Sequence, residues 1–271
     1  MTHNLKFSVI LPIYKKTNYK IFIKSFESIL SQSLSPNELL VIYDGPVNGN
    51  IKKLVDSKKK IYKFIKILNF PSNNGLGKVL KIAVCKSSYN YIMRCDSDDI
   101  SLKNRFKDQI AFLKKNNKID VLGSNIMEIY ENKNFSIKKL PEKNKDLKKF
   151  SLFRNPINHS SVIFKKNKII NSGNYLDMPF FEDYYLWLRV LNSGGKFHNI
   201  QKNLVLMGID DNYYDRRSGL KYFINYVNFL NKIRKDKIIS YFIYTLNFIL
   251  RFHIVYLPRS IIRKFYNLIL R

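Results

Sequence analysis

Short apolar runs alternate with stretches of helical spacing through the first half of the chain. Phe7-Ser8-Val9-Ile10-Leu11 reads as a strand that stops at Pro12-Ile13-Tyr14. Ile21, Phe22, Ser25, Phe26, Ile29 and Leu30 then recur at the period of a helix with one buried face. Leu39 to Tyr43 forms a second apolar run, closed by Asp44-Gly45-Pro46, and Phe64 to Leu68 a third, followed by the turn-rich Pro71-Ser72-Asn73-Asn74-Gly75. A short helix from Gly77 to Cys85 leads into a fourth strand, Tyr89 to Cys95. Helical spacing returns across Asn104 to Leu113, Val121 to Tyr130 is extended, and Asn132-Lys133-Asn134 reads as a turn. Ser160 to Phe164 reads as another strand, and Tyr184 to Leu191 as a helix with Glu182-Asp183 at its start. Alternation of strand and helix predicts an α/β fold with a mixed, mainly parallel sheet flanked by helices.

After residue 217 the pattern changes. Apolar and aromatic residues crowd between basic ones, as in Ile238 to Tyr244 and Phe248 to Arg251. The apolar stretch before Arg251 falls short of the roughly 20 residues a bilayer demands, and extending it to Leu257 places Arg251 and His253 in hydrocarbon. The expectation is a domain over residues 1–217 and, over 218–271, a C-terminal extension of basic amphipathic helices lying on an anionic membrane surface. A second reading packs these helices on the core.

Composition adds little to the fold and something to the partners. A chain of 271 residues with 45% hydrophobic and 14% aromatic content folds as a globule. Cys85 and Cys95 lack metal-ligand spacing and read as small buried hydrophobes. The polar start, Met1 to Lys6, reads as lacking a secretory signal and predicts a cytoplasmic address. The net charge of +28 suits a polyanionic partner: nucleic acid, an anionic membrane or a phosphorylated substrate. An AT-rich coding sequence gives the same Lys- and Asn-rich composition, so charge alone selects none of them.

The candidate chemistry lies where strands end, the place at which open α/β sheets bind ligands. Asp96-Ser97-Asp98-Asp99 follows the fourth strand, and carboxylates so crowded repel one another unless a cation or a donor-rich ligand sits among them. Pro12 to Tyr14 closes the first strand, Asp44 the second, and Asn74-Gly75-Leu76-Gly77-Lys78 follows the third. Each has a plain alternative. Asp44 suits a turn, Gly75-Leu76-Gly77 a helix entry, and Asp98-Asp99 helix caps. Their shared edge is what singles them out.

These segments, with Arg94 to Asp99 and Glu182-Asp183-Tyr184-Tyr185-Leu186-Trp187, resemble the signatures of family 2 glycosyltransferases of the GT-A fold, in order over residues 7 to 217. Arg154-Asn155-Pro156-Ile157-Asn158-His159 narrows the resemblance to bacterial exopolysaccharide, capsule and O-antigen enzymes of the amylovoran-biosynthesis type. The chain departs from the pattern at Tyr43-Asp44, where many relatives carry two aspartates. It departs again at Gly208-Ile209-Asp210, in place of an Arg-containing segment. A Gln-X-X-Arg-Trp signature of processive synthases is absent, which favours one sugar per acceptor.

The resemblance implies an inverting, metal-dependent transfer from a nucleotide sugar, UDP-linked, to an undecaprenyl-diphosphate-linked saccharide at the inner face of the cytoplasmic membrane. Asp44 would accept a hydrogen bond from the donor base, with the Pro12 and Tyr14 backbone lining its pocket. Asp96 would hold the nucleotide, and Asp98, with Asp96, would ligate Mg²⁺ or Mn²⁺. Asp99 would orient the loop or share the metal. Lys78 and Arg94 would contact phosphate or base. Asp183 would be the general base, its geometry set by Glu182, although acidic residues at a helix start also serve the dipole. On the acceptor side stand His159, Trp187, Arg216 and Arg217; Trp187 suits a sugar-stacking ring or a core residue equally.

Three other classes compete. A nucleic-acid-binding protein explains the charge, but no helix-turn-helix, zinc or RNP-like signature is present, and no nucleic-acid partner is expected. A nucleotidyltransferase on a similar sheet needs a Gly- and basic-rich N-terminal loop that this chain lacks. A silent membrane scaffold needs no acidic cluster at all.

Overall fold

The computed structural model describes residues 5–130, 134–209, 213 and 217–252. Strands β1 (Phe7–Tyr14), β2 (Glu38–Asp44), β3 (Ile65–Phe70) and β4 (Tyr91–Arg94) lie parallel in the order β3-β2-β1-β4. Helices α1 (Tyr19–Leu30), α2 (Gly49–Ile61) and α3 (Leu76–Lys86) connect them. Beyond β4 the sheet becomes mixed, continuing through β8 (Ile163–Lys165), β6 (Val121–Tyr130), β9 (Phe197–Ile209) and β5 (Ile100–Ser101), with β7 (Phe135–Lys138) beside β6. Helices α4 (Arg105–Lys115), α5 (Asn144–Phe150), α6 (Lys166–Asn171) and α7 (Glu182–Asn192) complete the α/β domain.

Alternation along β1 explains the two layers. Phe7, Val9, Leu11 and Ile13 share one core with Phe22 and Phe26 of α1, Val55 of α2 and Phe106 of α4. Ile10 faces the other way, with Leu40, Ile42 and Ile92, into a core formed by α3, α6 and α7. Successive side chains in a strand point to opposite faces, so a sheet covered on both sides reads as an unbroken apolar run. Every residue of β2 is buried for this reason.

Two sequence expectations change. Ser160 and Ser161 do not belong to a strand: His159–Ser161 is a 3₁₀ turn, and β8 starts only at Ile163. The Ser161 hydroxyl donates to Asn158 O, a local bond that competes with a ladder, and accepts from Ser124 N of β6. The turn at Asn132-Lys133-Asn134 lies mostly outside the described residues, although β6 and β7 flank it in antiparallel register.

The C-terminal helices, α8 (Gly219–Lys235) and α9 (Tyr241–Phe252), do not stand apart on a surface of their own. Tyr226, Phe229, Leu230 and Ile233 fall on one face of α8 and pack against Phe181, Tyr184, Tyr185 and Leu188. Outside that contact Leu220, Ile224, Tyr241, Phe242, Ile249, Leu250 and Phe252 remain exposed. No helix among the described residues is long and apolar enough to cross a membrane.

Candidate active site

The loop after β4 is held from behind by buried polar side chains. Arg105, on the first turn of α4, donates from Nη2 to Arg94 O at 2.7 Å and from Nη1 to Ser101 Oγ at 3.0 Å. Ser25 Oγ of α1 donates to Asp96 O at 2.7 Å. Gln109 Nε2 donates to Ser161 O at 2.7 Å, tying α4 to the 3₁₀ turn that carries His159. Arg105 and Gln109 were not anticipated from sequence. Their signal was a polar pair four apart, in line with the apolar stripe of Phe106, Ile110 and Leu113.

The three carboxylates of this loop occupy different environments. Asp98 is exposed. Asp96 is half-buried and receives both terminal nitrogens of the buried Arg94 guanidinium. Asp99 is buried, and its carboxyl is pushed well above the ordinary range by desolvation and then by the charges of Asp96 and Asp98, against a hydrogen bond from Ser160. The position of Asp99 suits a loop-orienting role.

Across from this loop stands the start of α7. Asp183 accepts from Asn155 Nδ2 at 2.6 Å and from Tyr184 N at 2.8 Å. Burial raises its pKa; those two bonds and the positive charges of Arg94 and Lys138 oppose the rise. His159 Nδ1 lies 3.8 Å from Asp183 Oδ2, and its Nε2 lies 2.8 Å from the Tyr175 hydroxyl. Burial, and then Arg94, hold the imidazole well below its ordinary pKa, so the His159–Asp183 approach is that of a neutral ring to a carboxylate. Burial, with Asp183 and Asp177 adding, raises Glu182 to about 7. Gly77 lets α3 reach this corner: a Cβ there would sit 3.0 Å from Leu176 O and 3.1 Å from Glu182 Cγ.

Asp44 does more for the loop beside it than was expected. It is 5% exposed, and its carboxylate accepts from Asn73 Nδ2 at 2.9 Å, Asn74 N at 2.6 Å and Gly75 N at 3.2 Å. A carboxylate offers about four acceptor positions, so three of these donors leave little for a ligand. Gly45 allows the approach: its φ is +82°, and a Cβ would fall 2.7 Å from Asn73 N. Pro12 and Tyr14 end β1 at this edge, where Tyr14 pairs with Asp44, and Lys78 is exposed on the first turn of α3.

A cleft of about 420 Å³ opens between the two halves. The structure brings Arg94, Asp96, His159, Glu182, Asp183 and Arg217 together as its lining. Pro12, Tyr14, Asp44, Lys78 and Asp98 lie outside that lining, and Arg216 lies outside the described residues. Trp187 is corrected: it is fully buried, packed near His159, Phe164 and Phe197, and presents no ring to a sugar. One turn from Asp183 along α7 is the direction of the core. Phe180, which sequence reasoning passed over, lines the cleft instead, 45% exposed and at φ +71°. Arg154, Asn155, Lys138 and Arg251 join it.

Carboxylates facing an arginine-lined cleft at the end of a parallel sheet suit transfer between phosphorylated substrates. The family model for glycosyl transferase family 2 matches residues 8–171. The chain is 34% identical over 268 residues to the Escherichia coli UDP-Gal:alpha-D-GlcNAc-diphosphoundecaprenol beta-1,3-galactosyltransferase, covering 98% of this chain and 97% of that one. It is 31% identical over 216 residues to the amylovoran biosynthesis glycosyltransferase AmsE of Erwinia amylovora, covering 80% and 81%. Among solved structures, S. aureus TarS superposes with a TM-score of 0.63 at 18% identity, over 98% of this chain but only 46% of that one. A shorter form of TarS in complex with UDP-GlcNAc gives 0.65 at 16% identity, over 84% and 66%. The likeness to TarS extends to the fold, the relatives and the family model to the chemistry, and this chain is a family 2 glycosyltransferase with the GT-A fold.

Proposed function

We propose that this enzyme moves one sugar from a UDP-sugar to a saccharide carried on undecaprenyl diphosphate, with inversion at the anomeric carbon, in the assembly of a surface polysaccharide. The observation that carries the reading is the shared cleft: Asp183, held by Asn155 and Tyr184 N, faces the same space as the Arg94–Asp96 pair. The E. coli relative acts on a UDP-sugar and a diphosphoundecaprenol acceptor, which supports both substrate classes.

In a single displacement, the acceptor hydroxyl oxygen bonds to the anomeric carbon while the bond from that carbon to the nucleoside diphosphate breaks. Asp183 takes the hydroxyl proton, and desolvation, by raising its pKa, makes it a stronger base than an exposed aspartate. Arg94, already committed to Asp96, fixes that carboxylate toward the nucleotide. The donor set of the acidic loop fits Mg²⁺ or Mn²⁺: Asp96 and Asp98 are carboxylates, hard oxygen donors, two residues apart, and Asp98 is exposed. No three ligand-type side chains converge among the described residues. Asp98 and Asp96 would hold such an ion. When bound, such an ion neutralises charge on the leaving diphosphate.

On the acceptor side, Phe180 takes the stacking role that sequence gave to Trp187. The exposed apolar residues of α9 support peripheral contact with the inner membrane face. The test is a panel of UDP-sugars with Mn²⁺ and a synthetic GlcNAc-diphosphate-lipid acceptor. Transfer by the natural protein, lost in Asp98→Ala and Asp183→Asn with unchanged circular dichroism, is expected. Full activity in either variant contradicts the proposed roles.

A further inference from the structure

The acceptor half of the cleft holds three arginines from three separate elements. Arg154 follows α5, Arg217 directly precedes α8, and Arg251 closes α9. All three line the cleft that contains Asp183. Arg217 and Arg251 also face a small hollow between the start of α8 and the end of α9. Each guanidinium lies over an aromatic ring: Arg154 over Phe150 at 5.5 Å, Arg217 over Tyr213 at 3.8 Å, Arg251 over Tyr226 at 4.9 Å. A ring beneath a guanidinium fixes its plane, and Arg217 Nη1 also donates to Tyr213 O at 3.1 Å. Arg154 Nη2 is enclosed and has no hydrogen-bond partner among the described residues. Burial and the neighbouring charge of Arg251 both push Arg154 below its ordinary pKa, so two like charges share a partly desolvated space.

We propose that Arg154, Arg217 and Arg251 form a subsite for a diphosphate group, the one that joins the acceptor sugar to its lipid. This rests on the reading of the cleft as a glycosyltransferase site. Arginine forks bind phosphate oxygens bidentately, and an anion between the three relieves their repulsion and satisfies the enclosed Nη2. The placement assigns the diphosphate to acceptor rather than donor. Arg94 and Asp96 leave the parallel half of the sheet. The three arginines line the cleft together with Tyr184, the residue after Asp183, whose hydroxyl donates to Ser151 O. A diphosphate there sets the acceptor sugar beside Asp183 and directs the lipid toward α8 and α9, whose exposed apolar residues continue outward. The C-terminal helices thereby contribute to the active site.

The experiment measures calorimetric binding of GlcNAc-diphosphate-alkyl to the full-length chain with UDP present at saturation, and of the non-phosphorylated GlcNAc-alkyl as its counterpart. Arg154→Gln and Arg251→Gln are each expected to weaken diphosphate binding tenfold or more, with Arg154→Lys between them and the natural protein. UDP affinity and GlcNAc-alkyl binding stay within twofold. The ligand raises the melting temperature of the natural protein but not of the glutamine variants. Unchanged diphosphate binding in both variants overturns the subsite, as does a natural protein that binds no diphosphate. A fall in UDP affinity instead assigns the arginines to the donor and also overturns it. If diphosphate binding depends on the arginines yet no donor supports transfer, the subsite stands and the proposed function falls.

Discussion

Asp183 sits at a helix start, the most ordinary place for an aspartate. Its neighbours set it apart: a 2.6 Å bond from Asn155 and a neutral His159 nearby. Asp183→Asn is expected to cost two to four orders of magnitude in kcat, the usual scale for loss of a general base, about 10²–10⁴. The base acts only when ionised, and burial raises its pKa, so kcat/KM falls with pH along an acid limb placed above the ordinary carboxylate range. Asn155 stabilises the ionised form, so Asn155→Ala moves that limb to higher pH. A pH–rate profile that ignores Asn155→Ala contradicts this. Glu182, at about 7, adds an inflection near neutrality that Glu182→Gln removes. At this scale the sequence was readable in placing Asp183 at a helix start, where the structure has it. It was unreadable where only three-dimensional neighbours decide, as at Trp187, whose helical phase points inward, and Phe180, whose backbone turns it outward.

Elements carry the positioning. The loops at the ends of β2 and β3 meet because Gly45 has no side chain, and Asp44 then binds Asn73, Asn74 and Gly75. Gly45→Ala forces a Cβ against Asn73 N in a left-handed backbone, and we expect a loss of about 1–3 kcal/mol, read from the urea midpoint at constant m. Arg105 is buried with partners on Arg94 O and Ser101, so Arg105→Met strands those acceptors. Weaker donor binding with an unmoved acceptor KM is the expected outcome. Strands β1 to β4 and helices α1, α3, α4 and α7 followed from periodicity, because each buries a continuous face. Helix α2 did not, since only Ile51 and Val55 of its thirteen residues are buried. The 3₁₀ turn at His159–Ser161 was hidden because serine hydroxyls bond locally, a choice that hydropathy does not record.

At the scale of the molecule, one buried carboxylate fastens the parallel half together. Glu38 of β2 is 2% exposed and binds Ser8 of β1, Lys66 of β3 and Ser88 after α3. Burial pushes Glu38 up, but those bonds outweigh it and hold the carboxyl at about 2 against 4.5 when unfolded. A lowered folded pKa gives stability that is complete above about 4.5 and is lost as pH falls from there towards 2. The shift corresponds to about 3 kcal/mol. Urea midpoints of the natural protein should decline over that window, and those of Glu38→Gln should decline less. The charge of +28 and the exposed apolar residues of α9 predict binding to anionic vesicles that weakens with salt, whereas neutral vesicles bind little. Composition made the basic and apolar character of the C-terminal segment legible from sequence. It left hidden that the same helices, through α8 and Arg251, reach the catalytic cleft.

The proposed attack by an acceptor oxygen activated at Asp183, on the side opposite the departing diphosphate, would fix the stereochemistry of the product. Anomeric coupling constants from NMR of the isolated disaccharide, made from an α-linked UDP-sugar, report it directly. A β-linked product is predicted. An α-linked product requires retention and contradicts direct displacement with Asp183 as the base.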